Sequence, residues 1–472
     1  MTTGFGGSAN TNTSDTNTLQ VALLQMQLSA VLPVPENHEA DAVFPYQSNW
    51  SNCDSIRKLA MPEAWVRAAI LVRSNSLLRG HSAVRLEVIK TLLKLLEHDL
   101  VPLVPLRGSI SASGDLCPLS YIAGTLEGNP DVQVWSGHHT SRKLIPADEA
   151  LRSVGLNPVS FGPKETLGLL NGTAFSVAVA SISQHQADTL AVFAQILTAM
   201  GVEALLGTVE SFDPFISAIR PHNGQIEVSR NIRYFLRGSK LARKGDEDEF
   251  HEGALRQDRY ALRTSSQWMG PFLEDMALAR QQLEIELNST TDNPLIDAAN
   301  KQVHHGGNFQ ATAVTSSTEK TRMTLEKIGK MIFAQSTELL DLRLNHHLPP
   351  DLSADEPSLS YSMKGVDINM AAYMSELAFL ANPVSNHVQS AEMSNQAINS
   401  LALISSRYTH IAVDIVSLML SAYLYTLCQA LDLRAMNDGF MSQLKPAING
   451  LTTQELGSLM SKNQLDILNR SI

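Results

Sequence analysis

Ala112, Ser113 and Gly114 join the three smallest residue types inside the run Gly108-Ser-Ile-Ser-Ala-Ser-Gly-Asp-Leu116. On its own such a tripeptide is a turn. Its chemical interest is steric: nothing bulky keeps the Gly114 nitrogen from the Ala112 carbonyl, so a five-membered ring can close. Loss of water from that ring and from Ser113 would leave an exocyclic methylidene, a strong electrophile that no ordinary side chain provides.

A second set of polar residues lies late in the chain. Glu392, Asn395, Gln396 and Asn399 stand at i, i+3, i+4 and i+7, a spacing that predicts one shared helix face. Asn171 interrupts an apolar run with Asn-Gly-Thr, as a helix cap also would. More familiar constellations are missing. There is no phosphate-loop motif, no H-E-x-x-H, and Gly4-Phe-Gly-Gly7 lacks the strand and helix of a dinucleotide fingerprint. The pairs His138-His139, His304-His305 and His346-His347 are adjacent, a spacing that rarely puts two imidazoles on one metal. Cys53, Cys117 and Cys428 are too few and too scattered for a zinc cage or a disulfide framework. No metal is expected.

The elements that must position these residues follow from composition. The chain has 472 residues, 44% hydrophobic and only 18% charged, so it must bury a large apolar surface inside one chain and between copies. A net charge of −11 and 6% aromatics argue against nucleic acid, which needs a basic face or stacking platforms. No basic n-region or apolar h-region opens the sequence, and the apolar stretch 411–428 carries Asp414, so a cytoplasmic, non-membrane protein is expected.

Helical periodicity covers 19–31 up to the Pro33 and Pro35 region, 62–80 and 84–96, after a polar, flexible first 18 residues. The run 100–120 breaks that pattern with prolines, glycines and serines, and 132–144 suits short strands. Long helical runs are predicted at 166–206, 310–344 and 388–436, with 243–252 as a charged, exposed connection. The expected fold is mainly α. A mixed N-terminal region (residues 1–161) carries the triplet loop, and a central bundle of long helices (162–472) supports it.

Six further segments accompany the run RGSISASGDLCPLSYIAG at 107–124. They are TTGFGGSA at 2–9, LLNGTAFS at 169–176, QDRYALRTS at 257–265, TTDNPLID at 290–297, HGGNFQ at 305–310 and NHVQSAEMSNQ at 386–396. Together and in this order they resemble the aromatic amino acid ammonia-lyases, whose prosthetic group is a methylidene-imidazolone (MIO). Ile110-Ser111 and SAEMSNQ look like the phenylalanine branch of that family, and LLQMQLSAVLP at 23–33 is most similar to its fungal members.

The resemblance implies MIO formed autocatalytically from Ala112, Ser113 and Gly114, and elimination of ammonia from phenylalanine to give trans-cinnamate. It implies catalytic roles for Asn171, Tyr260, Glu392 and Gln396, with Arg263 gripping the substrate carboxylate through its guanidinium fork. Phe5, Leu23, Met26, Gln27, Leu116, Gln257, Phe309 and Lys364 match lining positions. Tyrosine-accepting relatives carry a His at the position of Met26. A thioether is a weak partner for a phenolic hydroxyl, so phenylalanine is expected to be preferred over tyrosine.

The resemblance also implies a homotetramer with shared active sites. The family's general base is a tyrosine just upstream of TTGFGG, and this sequence opens at Met1-Thr2-Thr3. The N-terminal domain is therefore expected to be incomplete at its start. The chain as given is expected to bind phenylalanine yet turn over far more slowly than one with that segment restored. An aminomutase that re-adds ammonia at the β-carbon, and a catalytically impaired homologue kept as an assembly or regulatory partner, are the alternatives.

Overall fold

The computed structural model describes residues 3–32, 58–138, 141–244, 257–356, 358–361, 363–456, 459–461, 463–465 and 468. The charged connection expected at 243–252 lies outside them from residue 245 onward, as do Pro33, Pro35, Cys53 and His139.

Helices dominate the described residues. They are α1 (Thr16–Gln27), α2 (Glu63–Leu78), α3 (Leu86–Glu97), α4 (Leu116–Glu127), α5 (Ala147–Ser153), α6 (Glu165–Leu170), α7 (Ala174–Ala204), α8 (Pro214–Ala218), α9 (Asn223–Phe235), α10 (Tyr260–Arg263), α11 (Ser265–Leu287), α12 (Thr312–Leu340), α13 (Met363–Leu380) and α14 (Ala402–Leu456). Strands β1 (Val101–Pro102), β2 (Gln133–Ser136) and β3 (Lys143–Pro146) form an antiparallel sheet in that order. A separate antiparallel pair joins β4 (Leu295–Asp297) to β5 (Gln302–His304).

The chain divides into two compact units that do not follow chain order. The first takes residues 1–188, 275–324 and 380–413; the second takes 189–274, 325–379 and 414–472. Helices α7, α11, α12, α13 and α14 contribute residues to both.

In the first unit, α2, α3 and α4 bury Trp65, Val66, Ile70, Val88, Leu92, Leu119 and Ile122 in one core with Phe175 and Leu403. Each such side chain stabilises the fold by roughly 1.5–3 kcal/mol when fully buried. Arg322, fully buried on α12, ties that helix to the start of α14. Its Nη1 donates to the Ser405 carbonyl (2.8 Å) and hydroxyl (2.6 Å), and its Nε donates to the Leu380 carbonyl (3.0 Å). In the second unit, Arg434 of α14 donates to the carbonyls of Ala204, Asn345 and His346. There Gly224 and Gly270 touch so closely that a Cβ on Gly224 would lie 1.9 Å from the Gly270 oxygen.

Several elements depart from the sequence pattern, each for a local reason. The first 18 residues are not a featureless loop. Thr3 bridges Asn12, Gly6–Ser8 form a 3-10 turn, and Asp15 caps α1 by accepting the Thr18 N–H. Helix α1 ends at Gln27, well before the prolines, because Leu28 leaves helical geometry. Helix α4 begins at Leu116, inside the run read as helix-breaking. Pro118 falls in its first turn, where a missing N–H costs nothing. The apolar run from 166 is broken at 171–173, between α6 and α7. The last long helix starts at Ala402 and not at Val388.

Helices α7 and α14 are long and apolar enough to cross a membrane by length and composition. Ala174, Phe175, Ala178 and Val179 of α7 are instead packed in the protein core, alongside Leu403 of α14.

Candidate active site

The Ala112-Ser113-Gly114 loop lies between β1 and the start of α4, gripped from both ends. Ahead of it, the Ile110 carbonyl accepts the Leu401 N–H (3.0 Å) and the Ser111 carbonyl accepts the Ser400 hydroxyl (2.8 Å). Ser111 itself holds a left-handed φ of +49°, and its hydroxyl accepts the Leu403 N–H at 3.0 Å. Behind it, Gly114 (φ +71°) pairs with Gly172, whose carbonyl accepts the Asp115 N–H at 2.7 Å. A Cβ on Gly114 would sit 2.2 Å from that carbonyl oxygen, so glycine is obligatory there. From Ser111 to Leu126, Ser113 is the one residue not buried. The triplet thus combines a compressed backbone with a serine left only half-buried, and it fits the ring closure expected of it.

Asp115, which sequence reasoning missed, anchors this loop. It is fully buried, and its carboxyl accepts the Ser176 N–H (2.7 Å) and the hydroxyls of Ser176, Ser111 (2.8 Å) and Ser109 (3.2 Å). Burial pushes its pKa up, and the hydrogen bonds from Ser176, Ser111 and Ser109 oppose that rise. One signal was available: a lone carboxylate between the small triplet and the apolar Leu-Cys-Pro-Leu needs buried partners.

Glu392, Asn395, Gln396 and Asn399 do not share a helix face. Glu392, Met393 and Ser394 take left-handed φ values of +51°, +56° and +66°, so the segment is a tight turn. Left-handed backbone is costly for such residues and persists only where surrounding contacts hold it. Those contacts are tertiary. The Gly7 N–H donates to Glu392 Oε1 at 2.6 Å, and the Gln396 amide donates to the Ser113 hydroxyl at 3.3 Å. Asn395 Nδ2 donates to Glu392 Oε2 (2.7 Å), and Asn399 Nδ2 donates to the Gln389 carbonyl (2.7 Å), tying the turn to itself. A Cβ on Gly6 would lie 2.3 Å from Glu392 Oε1, which explains a glycine there.

Asn171 closes α6. It is buried, donates from Nδ2 to the Asn293 carbonyl at 2.9 Å, and leaves Oδ1 buried without a partner. An orphaned acceptor beside Gly172, and hence beside the triplet's own contact, fits a prosthetic group formed at 112–114. Phe5 and Phe309 are half-buried, Leu23 and Leu116 are buried, Gln27 is half-buried, and Met26 is 51% exposed on α1.

The remaining candidates belong to the second unit. Tyr260, 71% exposed, starts α10, and the Arg263 guanidinium stands 4.9 Å from its ring centroid and donates to Gln257 Oε1. Gln257, Asp258, Arg259, Tyr260 and Arg263 line an open cavity of about 270 Å³. Asp258 is held by the Thr208 N–H (2.7 Å) and Arg243 (3.2 Å), and Arg259 faces Glu338 at 3.6 Å. Lys364 on α13 is exposed, 5.7 Å from the Tyr361 ring. Among the described residues no group of three or more His, Cys, Asp or Glu could hold a metal ion.

A family profile described as aromatic amino acid lyase matches residues 1–452. The chain belongs to that family. It is 55% identical over 455 residues to a phenylalanine ammonia-lyase of Aspergillus lentulus, covering 96% of this chain and 62% of the relative. It is 48% identical over 470 residues to a phenylalanine aminomutase (L-beta-phenylalanine forming) of Talaromyces islandicus, covering 99% of this chain and 64% of the relative. Its fold superposes on the crystal structure of phenylalanine ammonia-lyase from the yeast Rhodosporidium toruloides with a TM-score of 0.91. That match has 50% identity and covers 97% of this chain and 68% of the other. The chain spans less than two thirds of the length of the curated relatives it matches first.

Proposed function

We propose that this chain carries the catalytic core of a phenylalanine ammonia-lyase, releasing ammonia and trans-cinnamate from L-phenylalanine. The observation that carries the reading is the triplet itself: a half-buried Ser113 between two buried neighbours, with Gly114 pressed on Gly172. An MIO formed there supplies an electrophile that makes ammonia a better leaving group.

In an assembly with shared active sites, residues from more than one copy of the chain then bind and orient. Arg263 pairs with the carboxylate through two parallel hydrogen bonds, and Tyr260 faces the same cavity. Glu392 takes the ammonium, exchanging the Gly7 N–H for it, while Gln396 holds the position of Ser113. Asn171 Oδ1 is the acceptor left for the prosthetic group. The family resemblance gives lining roles to Phe5, Leu23, Met26, Gln27, Leu116 and Phe309 of the first unit and to Gln257 and Lys364 of the second, without requiring that one copy supply them all. In the reaction the Cα–N bond breaks and Cβ loses a proton, with no change of oxidation state overall.

Assembly as a homotetramer belongs to the same proposal. It is supported by exposed apolar side chains on long helices, among them Ile285, Ile368, Phe379, Met436 and Phe440. Free thiols at Cys117 and Cys428 suit a cytoplasmic protein. The Talaromyces islandicus relative favours one second reading, an aminomutase releasing β-phenylalanine.

Product analysis with L-phenylalanine tests both readings. Cinnamate and ammonia in equal amounts support the lyase, and accumulating β-phenylalanine supports the mutase. Intact mass of the purified chain is the companion measurement. A deficit of two waters, abolished in Ser113→Ala, is expected; an unmodified mass in folded protein overturns the electrophile.

A further inference from the structure

Arg73 has no part in the chemistry above, yet it is a buried charge within reach of it. It lies on α2 between Ile70 and Leu77, on the face packed into the core, and is 1% exposed. A guanidinium there must replace water with fixed acceptors, and Arg73 finds two carbonyls. Its Nη2 donates to Gly168, whose carbonyl sits near the end of α6 where helical partners run out. Its Nη1 donates to Thr291 at 3.0 Å.

Gly172 lies against this fork. A Cβ on it would fall 2.3 Å from Arg73 Nη1 and 2.5 Å from the Thr291 oxygen. Thr291 is itself fixed to α2, its N–H donating to the Ser76 hydroxyl at 3.2 Å, and its own hydroxyl accepts the Thr173 N–H at 3.3 Å. The other side of Gly172 is the wall that Gly114 meets. Arg73, Gly172 and Gly114 therefore form one stack with no room for a Cβ at either glycine.

We infer that Arg73 is a positioning residue for ring closure at Ala112-Ser113-Gly114, clamping Gly172 so that Gly114 is held at its left-handed φ. The inference rests on the electrophile reading above and deepens it. In the closure, the Gly114 nitrogen bonds to the Ala112 carbonyl carbon. That carbonyl oxygen leaves as water with the hydrogens of the Gly114 and Ser113 nitrogens. The Ser113 hydroxyl and Cα hydrogen leave as the second water.

The test compares the parent chain with Arg73→Lys and Arg73→Met, each full-length, by intact mass and by circular dichroism. Arg73→Lys keeps the buried charge and the helical fold, but one ammonium cannot reproduce a planar two-armed fork. Its two-water deficit is expected to develop roughly 10²-fold more slowly than in the parent. Folded Arg73→Met is expected to retain the intact triplet. A parent deficit matched by an equally rapid and complete deficit in Arg73→Lys overturns the role of Arg73 and leaves the electrophile standing. A folded parent with no deficit overturns the electrophile, and this inference with it.

Discussion

Around Ser113 nearly every polar neighbour already has a fixed partner. Asp115 collects three serine hydroxyls and a backbone N–H, Ser400 and Leu401 bind the backbone ahead of the triplet, and Gly172 binds it behind. The Gln257–Arg263 turn is built the opposite way: Tyr260 is largely in solvent, and Arg263 leans on an exposed ring and an exposed amide. The contrast follows from what each region must do in the proposed reaction. Ring closure between backbone atoms needs compression that only a packed, hydrogen-bonded interior sustains. A carboxylate clamp needs a charged fork free to exchange a weak partner for a substrate.

Asp115→Ala should test the first half of this contrast with the largest effect. It strips the acceptor from four buried donors, each costing roughly 1–3 kcal/mol when orphaned, so a stability loss of about 3 kcal/mol or more is expected. Urea unfolding followed by circular dichroism measures it. A loss under about 1 kcal/mol would show that the loop does not depend on this network.

Arg263→Ala should behave in the reverse sense. Stability is expected to move by no more than about 0.5 kcal/mol, because the side chain is anchored only to surface groups. The KM for phenylalanine is expected to rise roughly 10–100-fold, the worth of a charge-assisted pair. An unchanged KM with an unstable protein would reverse the roles assigned to the two regions.

The smallest effect is a pH dependence at the entrance to α6. Burial of Glu165 raises its pKa, but the Arg85 side chain and the backbone N–H groups of Arg85 and Gly162 outweigh that and hold it below the ordinary 4.5. A carboxyl with a depressed folded pKa stabilises the fold above its unfolded value, and that contribution vanishes as pH falls through the folded one. The parent should therefore lose stability below about pH 4.5 more steeply than Glu165→Gln. Parallel slopes in thermal unfolding between pH 5 and 3 would remove Glu165 from the account.

Much of the helical framework was legible in the sequence because apolar spacing is a local signal: α2, α3, α7 and α12 fall close to where the pattern puts them. The triplet stood out only through the motifs around it, since Ala112, Ser113 and Gly114 alone read as a turn. What the sequence left open was set by contacts between distant residues. The spacing of Glu392, Asn395, Gln396 and Asn399 fits a helix, yet Glu392, Met393 and Ser394 take left-handed φ values and turn the segment. Its polar atoms are held by Gly7 and Ser113, some 385 and 283 residues away. No motif singles out the charges of Asp115 and Arg73, and only folding supplies the donors around the one and the acceptors around the other. Periodicity reports the face a helix buries, whereas the partner that satisfies a buried charge is decided by packing.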